Sequence, residues 1–388
     1  MQEIRRNLMK SIGIIILAAG VGKRMRSKTP KVLHPICGRP MLSYVVDTAV
    51  SLSPAKTVVV VGSKMDSEIL RHAQNDKKEQ NDKREQNNRE GQNDKKFKSS
   101  KVQANKTDPR LPNPESRILT PDYRKIEFVV QDPPRGTGDA VLCAEKIFKD
   151  FEGSILVLCG DVPLLKPITL DKLIEFHKSN KEVRPQGVAT VLTTIVPEPA
   201  SYGRVVKSKV KSQKSKIKRI VEATDADESI KKIDEINTGI YIFEKRGLFD
   251  ALHKIKPSNV QGEYYFTDTI EILCNEGKEV YGFVTEDWQE VIGINTRKAL
   301  SEVESILQAQ IIERHQFGGV TIKNYTTTVI DFDVKIGADT VIHHGVQLLG
   351  TTQIGEDCEI GANTIIKNSV ISSGTKIGDN STIEDATI

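Results

Sequence analysis

Apolar and polar positions follow two different periods along this chain, and the change of period divides it. Up to about residue 298, short apolar runs stand between amphipathic stretches. Runs at 12–16, 57–61, 126–130, 155–159, 187–193 and 240–243 read as buried strands, and 41–51, 138–148 and 170–179 as helices between them. Strands alternating with helices predict right-handed crossovers and an α/β fold on a mainly parallel sheet. Residues 299–312 repeat apolar side chains at Leu300, Val303, Leu307 and Ile311, which suits one face of a connecting helix over 299–317.

Beyond that helix the period becomes six. Ile330, Ile336, Ile342, Leu348, Ile354, Ile360 and Ile366 are evenly spaced, and after a one-residue slip the series resumes at Ile371, Ile377 and Ile383. Four of these aliphatics are followed by glycine, as in Ile336-Gly337 and Ile360-Gly361. The spacing predicts a hexapeptide parallel β-helix over 318–388, each aliphatic pointing into a triangular core, with about three coils. A solenoid ending mid-repeat exposes an apolar cross-section, so truncation or a cap is expected at that end.

Composition changes this picture in three places. At 388 residues the chain has room for two domains, and its 38% hydrophobic and 28% charged content is that of a soluble protein. Cys37, Cys143, Cys159, Cys274 and Cys358 form no CxxC pair, which argues for a reducing, cytoplasmic setting and against a disulfide frame or zinc site. Arg5, Arg6 and Lys10 before the apolar run imitate a signal peptide. The run is short and basic residues follow at once, so 1–11 reads as a tail before the first strand. No segment approaches membrane-spanning length.

The net charge of +4 is local. Residues 72–125 hold 14 Lys and Arg against 9 Asp and Glu, leaving the remainder nearly neutral, so no nucleic-acid partner is implied. That segment repeats Gln-Asn-Asp-Lys at positions 74, 80 and 92 and has only Phe97 and Tyr123 as aromatics. Such a composition predicts a disordered insertion within the first domain. Residues 207–219 carry seven cations in thirteen positions and read as an exposed hairpin.

The chemistry begins where the first strand ends. Leu17-Ala18-Ala19-Gly20-Val21-Gly22-Lys23-Arg24-Met25 is followed by Pro30-Lys31-Val32-Leu33. A strand opening into a glycine turn with three nearby cations suits phosphates. It is no Walker loop, since Arg24 follows Gly22-Lys23, and no dinucleotide fingerprint, since the third glycine is missing. A plain tight turn and a nucleoside triphosphate site are the two readings, and the basic cluster favours the second.

Further motifs occur in a fixed order: Gly136-Thr137-Gly138, Gly160-Asp161-Val162-Pro163, Tyr202-Gly203-Arg204, Ile220-Val221-Glu222, Glu235-Ile236-Asn237-Thr238-Gly239, Gln261-Gly262-Glu263-Tyr264-Tyr265 and Gly293-Ile294-Asn295. With the opening motif they resemble the bacterial N-acetylglucosamine-1-phosphate uridyltransferases, the GlmU family, which usually also carry a glucosamine-1-phosphate acetyltransferase on their β-helix. The resemblance covers nearly everything outside 72–125. It implies a nucleotidyltransferase domain over 12–298, a left-handed β-helix, and UMP transfer from UTP to N-acetylglucosamine 1-phosphate for cell-wall precursors.

That reaction brings two anions together and expels pyrophosphate, so catalysis must come from positioning and charge neutralisation. The resemblance assigns Arg24 and Lys31 to the triphosphate and its developing charge, with Leu17, Ala18, Ala19 and Gly20 lining the nucleotide site. Asp161, at the carboxyl end of a predicted strand, is a hard ligand suited to Mg²⁺, and the resemblance pairs it with Asn295. Gln131, Gly136 and Thr137 correspond to the uracil-reading segment, although Pro133-Pro134-Arg135 departs from the family pattern. Gly203, Glu222, Asn237 and Thr238 correspond to the sugar pocket. Tyr264 and Tyr265 are expected as walls, and His34 as a packed histidine.

A homotrimer through the β-helix is implied, without membrane or nucleic-acid partners. No histidine follows His344 to serve as a general base, so acetyltransferase activity is expected to be absent. Other sugar-1-phosphate nucleotidyltransferases, using glucose 1-phosphate or dTTP, and a non-catalytic trimeric scaffold are the competing readings.

Overall fold

The computed structural model describes residues 9–20, 22–63, 126–183, 185–199, 201–208 and 216–388. The insertion expected over 72–125, most of the tail and the tip of the basic hairpin lie outside them. The first part of the chain forms strands β1 (Ile12–Ala18), β2 (Pro35–Ile36), β3 (Arg39–Pro40), β4 (Lys56–Gly62), β5 (Ile126–Gln131), β6 (Ser154–Cys159), β7 (Gly187–Ile195), β8 (Arg204–Lys207), β9 (Ile217–Val221), β10 (Glu235–Glu244) and β11 (Glu279–Thr285). Helices α1 (Met41–Ser51), α2 (Thr137–Cys143), α3 (Pro167–Val183), α4 (Lys245–Leu252), α5 (Asp268–Asn275) and α6 (Arg297–Phe317) join them.

The main sheet runs β11-β7-β10-β6-β1-β4-β5, with the β8–β9 hairpin attached at β10. It is parallel except at β10, which runs antiparallel to both β6 and β7. The strands read as continuous apolar runs because both faces are covered. Ile14, Ile16, Val59, Val61, Leu156 and Leu158 face one core with α1 and α3. Ile15, Val58, Val60, Ile155 and Val157 face the other with α2, α4 and α5. Successive side chains of one strand thus serve opposite cores.

The helix expected over 138–148 is two pieces. Ala144 N donates to Val141 O at 3.1 Å and Ile147 N to Ala144 O at 3.0 Å, tightening the chain into a 3₁₀ turn over Glu145–Phe148. That turn buries Phe148 completely. α3 is longer than expected, beginning on Pro167, where a missing N–H costs nothing.

The hexad segment forms three ladders of parallel strands. Partners such as Val341 and Glu359 are 18 residues apart, whereas Glu359 and Lys376 are 17 apart, which is the one-residue slip in the pattern. Ile330, Ile342, Leu348, Ile360 and Ile366 are fully buried. Ile336 and Ile377 are only half-buried. Thr321–Ile322 pairs with Val341–Ile342 and adds a rung that the spacing did not reveal, because Ile322 stands eight residues before Ile330.

Val303, Leu307, Ile311 and Ile312 of α6 join the first core to the solenoid interior. Polar contacts fix the same junction. Gln308 Nε2 donates to Ile330 O at 2.8 Å, Ile330 N donates back to Gln308 Oε1 at 3.1 Å, and Phe332 N donates to Cys37 O at 2.9 Å.

His315 near the end of α6 is buried, with no hydrogen-bond partner for Nε2 among the described residues. Burial, then the neighbouring Arg314 charge, pushes its pKa down to about 4. The folded state therefore holds this ring neutral, while the unfolded chain takes a proton near pH 6.5. Stability from this site is intact above that value and falls as pH drops toward 4. The loss should be on the order of 2–3 kcal/mol across that window. A His315→Gln variant should show a flatter melting-temperature profile there; parallel profiles would contradict it.

Candidate active site

The expected site residues meet at the carboxyl ends of β1 and β6, where open α/β sheets place ligands. After β1 the backbone turns at Gly22, whose φ is +63° and whose added Cβ would lie 2.6 Å from Lys31 Cβ. Only glycine fits that close approach, and it seats Lys31 against the turn. Gly20 needs no such freedom: its Cβ would meet open space, and it lines the cleft. Met25 N donates to Gly22 O at 2.9 Å, winding residues Lys23–Met25 into a 3₁₀ turn that carries Arg24.

Lys31 Nζ pairs with Asp161 Oδ2, both side chains being 14% exposed, and also donates to Asn295 Oδ1 at 3.2 Å. Arg24 Nη2 donates to the same Asn295 oxygen at 2.9 Å, and Arg24 Nη1 reaches Ser201 Oγ at 3.5 Å. Backbone holds these two side chains together, since Ile294 N donates to Asp161 O at 2.9 Å. Two cations and two oxygen-bearing side chains from distant parts of the chain thus form one network.

The oxygens of Asp161 and Asn295 converge on a single cation, the Lys31 ammonium. They are hard donors, and one carboxylate with one carbonyl suits Mg²⁺, which keeps waters and substrate phosphates in its shell. No three His, Cys, Asp or Glu side chains gather into a metal cluster among the described residues. A metal shared with substrate phosphates requires none.

A cleft of about 1010 Å³ opens beside this network. Leu17, Ala19, Gly20, Gly22, Arg24, Lys31, Gln131, Gly136, Thr137, Glu222 and Asn295 line it, so most expected residues come together. Ala18 is buried in the end of β1 and does not line it. Gly136 has φ +120°, and its added Cβ would lie 2.6 Å from Tyr264 O. The 135–138 turn is clamped to the 264–266 segment: Tyr264 N donates to Arg135 O at 2.9 Å, Gly138 N to Tyr264 O at 2.8 Å, and Phe266 N to Thr137 Oγ1 at 3.0 Å. Tyr265 forms part of the cleft wall, and Tyr264 lies under the Arg135 guanidinium at 5.9 Å.

The expected sugar residues cluster around a bulge in β10, where the register shifts between Asn237 and Ile240. Thr238 Oγ1 donates to Leu192 O at 2.7 Å, so this buried hydroxyl holds the bulge. Asn237 is partly spent as well, donating to Tyr241 Oη at 2.6 Å and accepting from Gly239 N at 3.2 Å. One amide proton and one lone pair remain. Neither Asn237 nor Thr238 lines the cleft, whereas Glu222 does.

Gly203 stands close by, its added Cβ 3.5 Å from Glu222 Oε2. Burial holds the Glu222 carboxyl above the ordinary range, Thr267 Oγ1 opposes this by donating to it at 3.1 Å, and Asp225 and Asp268 add repulsion. His34 is buried, as expected, its pKa lowered by burial and then by Arg297. Ser201, Thr267 and Asp139 were missed. For Asp139 a signal existed, since Arg135 and Asp139 are four apart at the start of a helix.

Comparison with known proteins bears on this arrangement. Residues 13–307 match the nucleotidyl transferase family, and residues 333–368 match the bacterial transferase hexapeptide (six repeats). The chain is 36% identical over 370 residues to the "Bifunctional protein GlmU" of Listeria monocytogenes, covering 95% of this chain and 68% of that protein. Proteins of the same name from Brevibacillus brevis (37%; 95% and 67% covered) and Clostridioides difficile (38%; 96% and 68%) are equally similar. A solved UDP-glucose pyrophosphorylase complexed with UDP-glucose shares the fold, with a TM-score of 0.53 at 17% identity over 77% of this chain and 98% of that one. Among the described residues, no helix is long and apolar enough to cross a membrane.

Proposed function

The chain belongs to the nucleotidyl transferase family and, within it, to the GlmU proteins, and from that premise we propose that it transfers UMP from UTP to N-acetyl-α-D-glucosamine 1-phosphate. The products are pyrophosphate and UDP-N-acetylglucosamine, a precursor of peptidoglycan and lipopolysaccharide. The convergence of Arg24, Lys31, Asp161 and Asn295 beside one cleft carries this reading.

The sugar phosphate attacks the α-phosphate of UTP, and its own charge opposes the approach. Arg24 and Lys31 supply positive charge where the two anions meet and where negative charge grows on the leaving pyrophosphate. Asp161 and Asn295 would hold Mg²⁺, which when bound screens the phosphate oxygens. Lys31 is the link between the two tasks: in the free enzyme its ammonium sits on the metal-binding oxygens, ready to turn to the phosphates.

Leu17, Ala19 and Gly20 form the nucleotide side of the site, with Ala18 buried behind them, and Gln131, Gly136 and Thr137 form the uracil side. Glu222 accepts from sugar hydroxyls, Gly203 leaves room for the ring, Asn237 offers its remaining amide groups, and Thr238 supports the bulge that presents it. We assign catalysis to 12–298, the link to 299–317 and homotrimer formation to the β-helix of 318–388. On this reading the enzyme works in the cytoplasm, where nucleoside triphosphates are made.

The acceptor is tested by comparing initial rates with N-acetylglucosamine 1-phosphate and glucose 1-phosphate at equal concentration under saturating UTP and Mg²⁺. The N-acetyl sugar should be preferred at least about tenfold, the scale of one well-matched polar contact. Equal rates, or a preference for glucose 1-phosphate, would reject the assigned acceptor.

A further inference from the structure

Asp139 stands in the first turn of α2, 7% exposed, behind the wall of the cleft. Its Oδ2 accepts from Gln131 Nε2 at 2.8 Å and its Oδ1 from Arg135 Nη2 at 2.7 Å. Gln131 Nε2 also donates to Gly136 O at 2.9 Å. Both amide protons of Gln131 are therefore taken, and by a carbonyl and a carboxylate paired with a guanidinium. Neither group can donate. Turning the amide over would set its oxygen against two acceptors, so the hydrogen bonds permit one orientation only.

We propose that Asp139 is a positioning residue that sets base selectivity by locking the Gln131 amide so that its carbonyl, not its NH₂, faces the nucleotide. The inference rests on the uridine nucleotide reading above and goes beyond it, because the selecting group touches no substrate. Gln131 lines the cleft, and its nitrogen is already spent. The acceptor it offers fits the N3–H of an imide base such as uracil or thymine. Cytosine has a bare lone pair at N3, which would face the Gln131 oxygen. To meet that oxygen with its amino group, cytosine would have to slide along the cleft.

The test measures kcat/KM for UTP, CTP and dTTP with one sugar-phosphate acceptor, in the wild type, Asp139→Asn and Arg135→Gln. The wild type should prefer UTP to CTP by about 100-fold or more. An asparagine that keeps its oxygen on Arg135 turns its NH₂ toward Gln131, so only the Gly136 carbonyl still opposes a turned amide, and Asp139→Asn should lower the UTP/CTP ratio at least about tenfold. The UTP/dTTP ratio should stay unchanged, since both bases carry the imide. Arg135, with a side chain 60% exposed, can be replaced without disturbing the core, and Arg135→Gln should shift UTP/CTP the same way by less.

Equal losses for UTP and CTP in Asp139→Asn would show a merely structural role and overturn the inference. If that variant does not fold, Arg135→Gln and wild-type turnover of 3-methyl-UTP decide it. An unmoved ratio in the first, or ready use of the second, overturns it. Silence of the wild type toward UTP would reject the nucleotide reading and the inference with it, whereas an active wild type with an unmoved ratio rejects the inference alone.

Discussion

Asp161→Asn should lower kcat by about 10²–10³-fold while leaving the fold intact, a loss of roughly 3–4 kcal/mol of transition-state stabilisation. The substitution keeps the shape of the side chain and the backbone bond from Ile294 N to Asp161 O. It removes the one carboxylate that converges with Asn295 on a cation. A neutral amide is a far weaker ligand for a hard divalent ion, so the variant should need much more Mg²⁺ for half-maximal rate. Initial rates across a Mg²⁺ titration check this. A variant with wild-type Mg²⁺ dependence would remove Asp161 from the metal site, whatever its kcat.

Lys31→Ala should have a comparable effect on kcat/KM and a second signature in stability. Without the ammonium, the largely buried Asp161 carboxylate loses its partner, at a cost of roughly 3 kcal/mol. On the proposed reading divalent cations occupy the same oxygens, so Mg²⁺ should raise the melting temperature of Lys31→Ala more than that of the wild type. Differential scanning fluorimetry with and without Mg²⁺ distinguishes this from simple loss of packing. A variant that melts like the wild type and ignores Mg²⁺ would mean that Lys31 does not stand on oxygens that hold Mg²⁺.

These effects depend on residues whose neighbours were only partly legible in the sequence. The doubly covered strands were plain, because a run such as 12–16 serves a core on each face and has no polar alternation to mislead. The antiparallel course of β10 was not, since an apolar run carries no sign of its direction. Its bulge at Asn237-Thr238-Gly239 was hidden for the same reason: only the fold reveals that Thr238 is tied to Leu192 O. The motif was visible, but its role as a shaped piece of backbone was not.

The six-residue period showed the solenoid at once, because one aliphatic per rung must point inward. Its first rung escaped because the eight residues from Ile322 to Ile330 break that period. At the site, Arg24, Lys31, Asp161 and Asn295 could be named from sequence, yet their meeting depends on contacts up to 271 residues apart. Asp139 is the reverse case. It acts on Gln131 over a separation of eight residues, and its partner Arg135 is nearer still. Its function became visible only once both amide protons of Gln131 were accounted for.

The central claim is Mg²⁺-dependent uridylyl transfer, and pyrophosphate release from UTP plus N-acetylglucosamine 1-phosphate tests it most directly. Release should require both substrates, stop when EDTA removes the metal, and resume when Mg²⁺ is restored. No release with both substrates and Mg²⁺ present, or release undiminished by EDTA, would contradict the account.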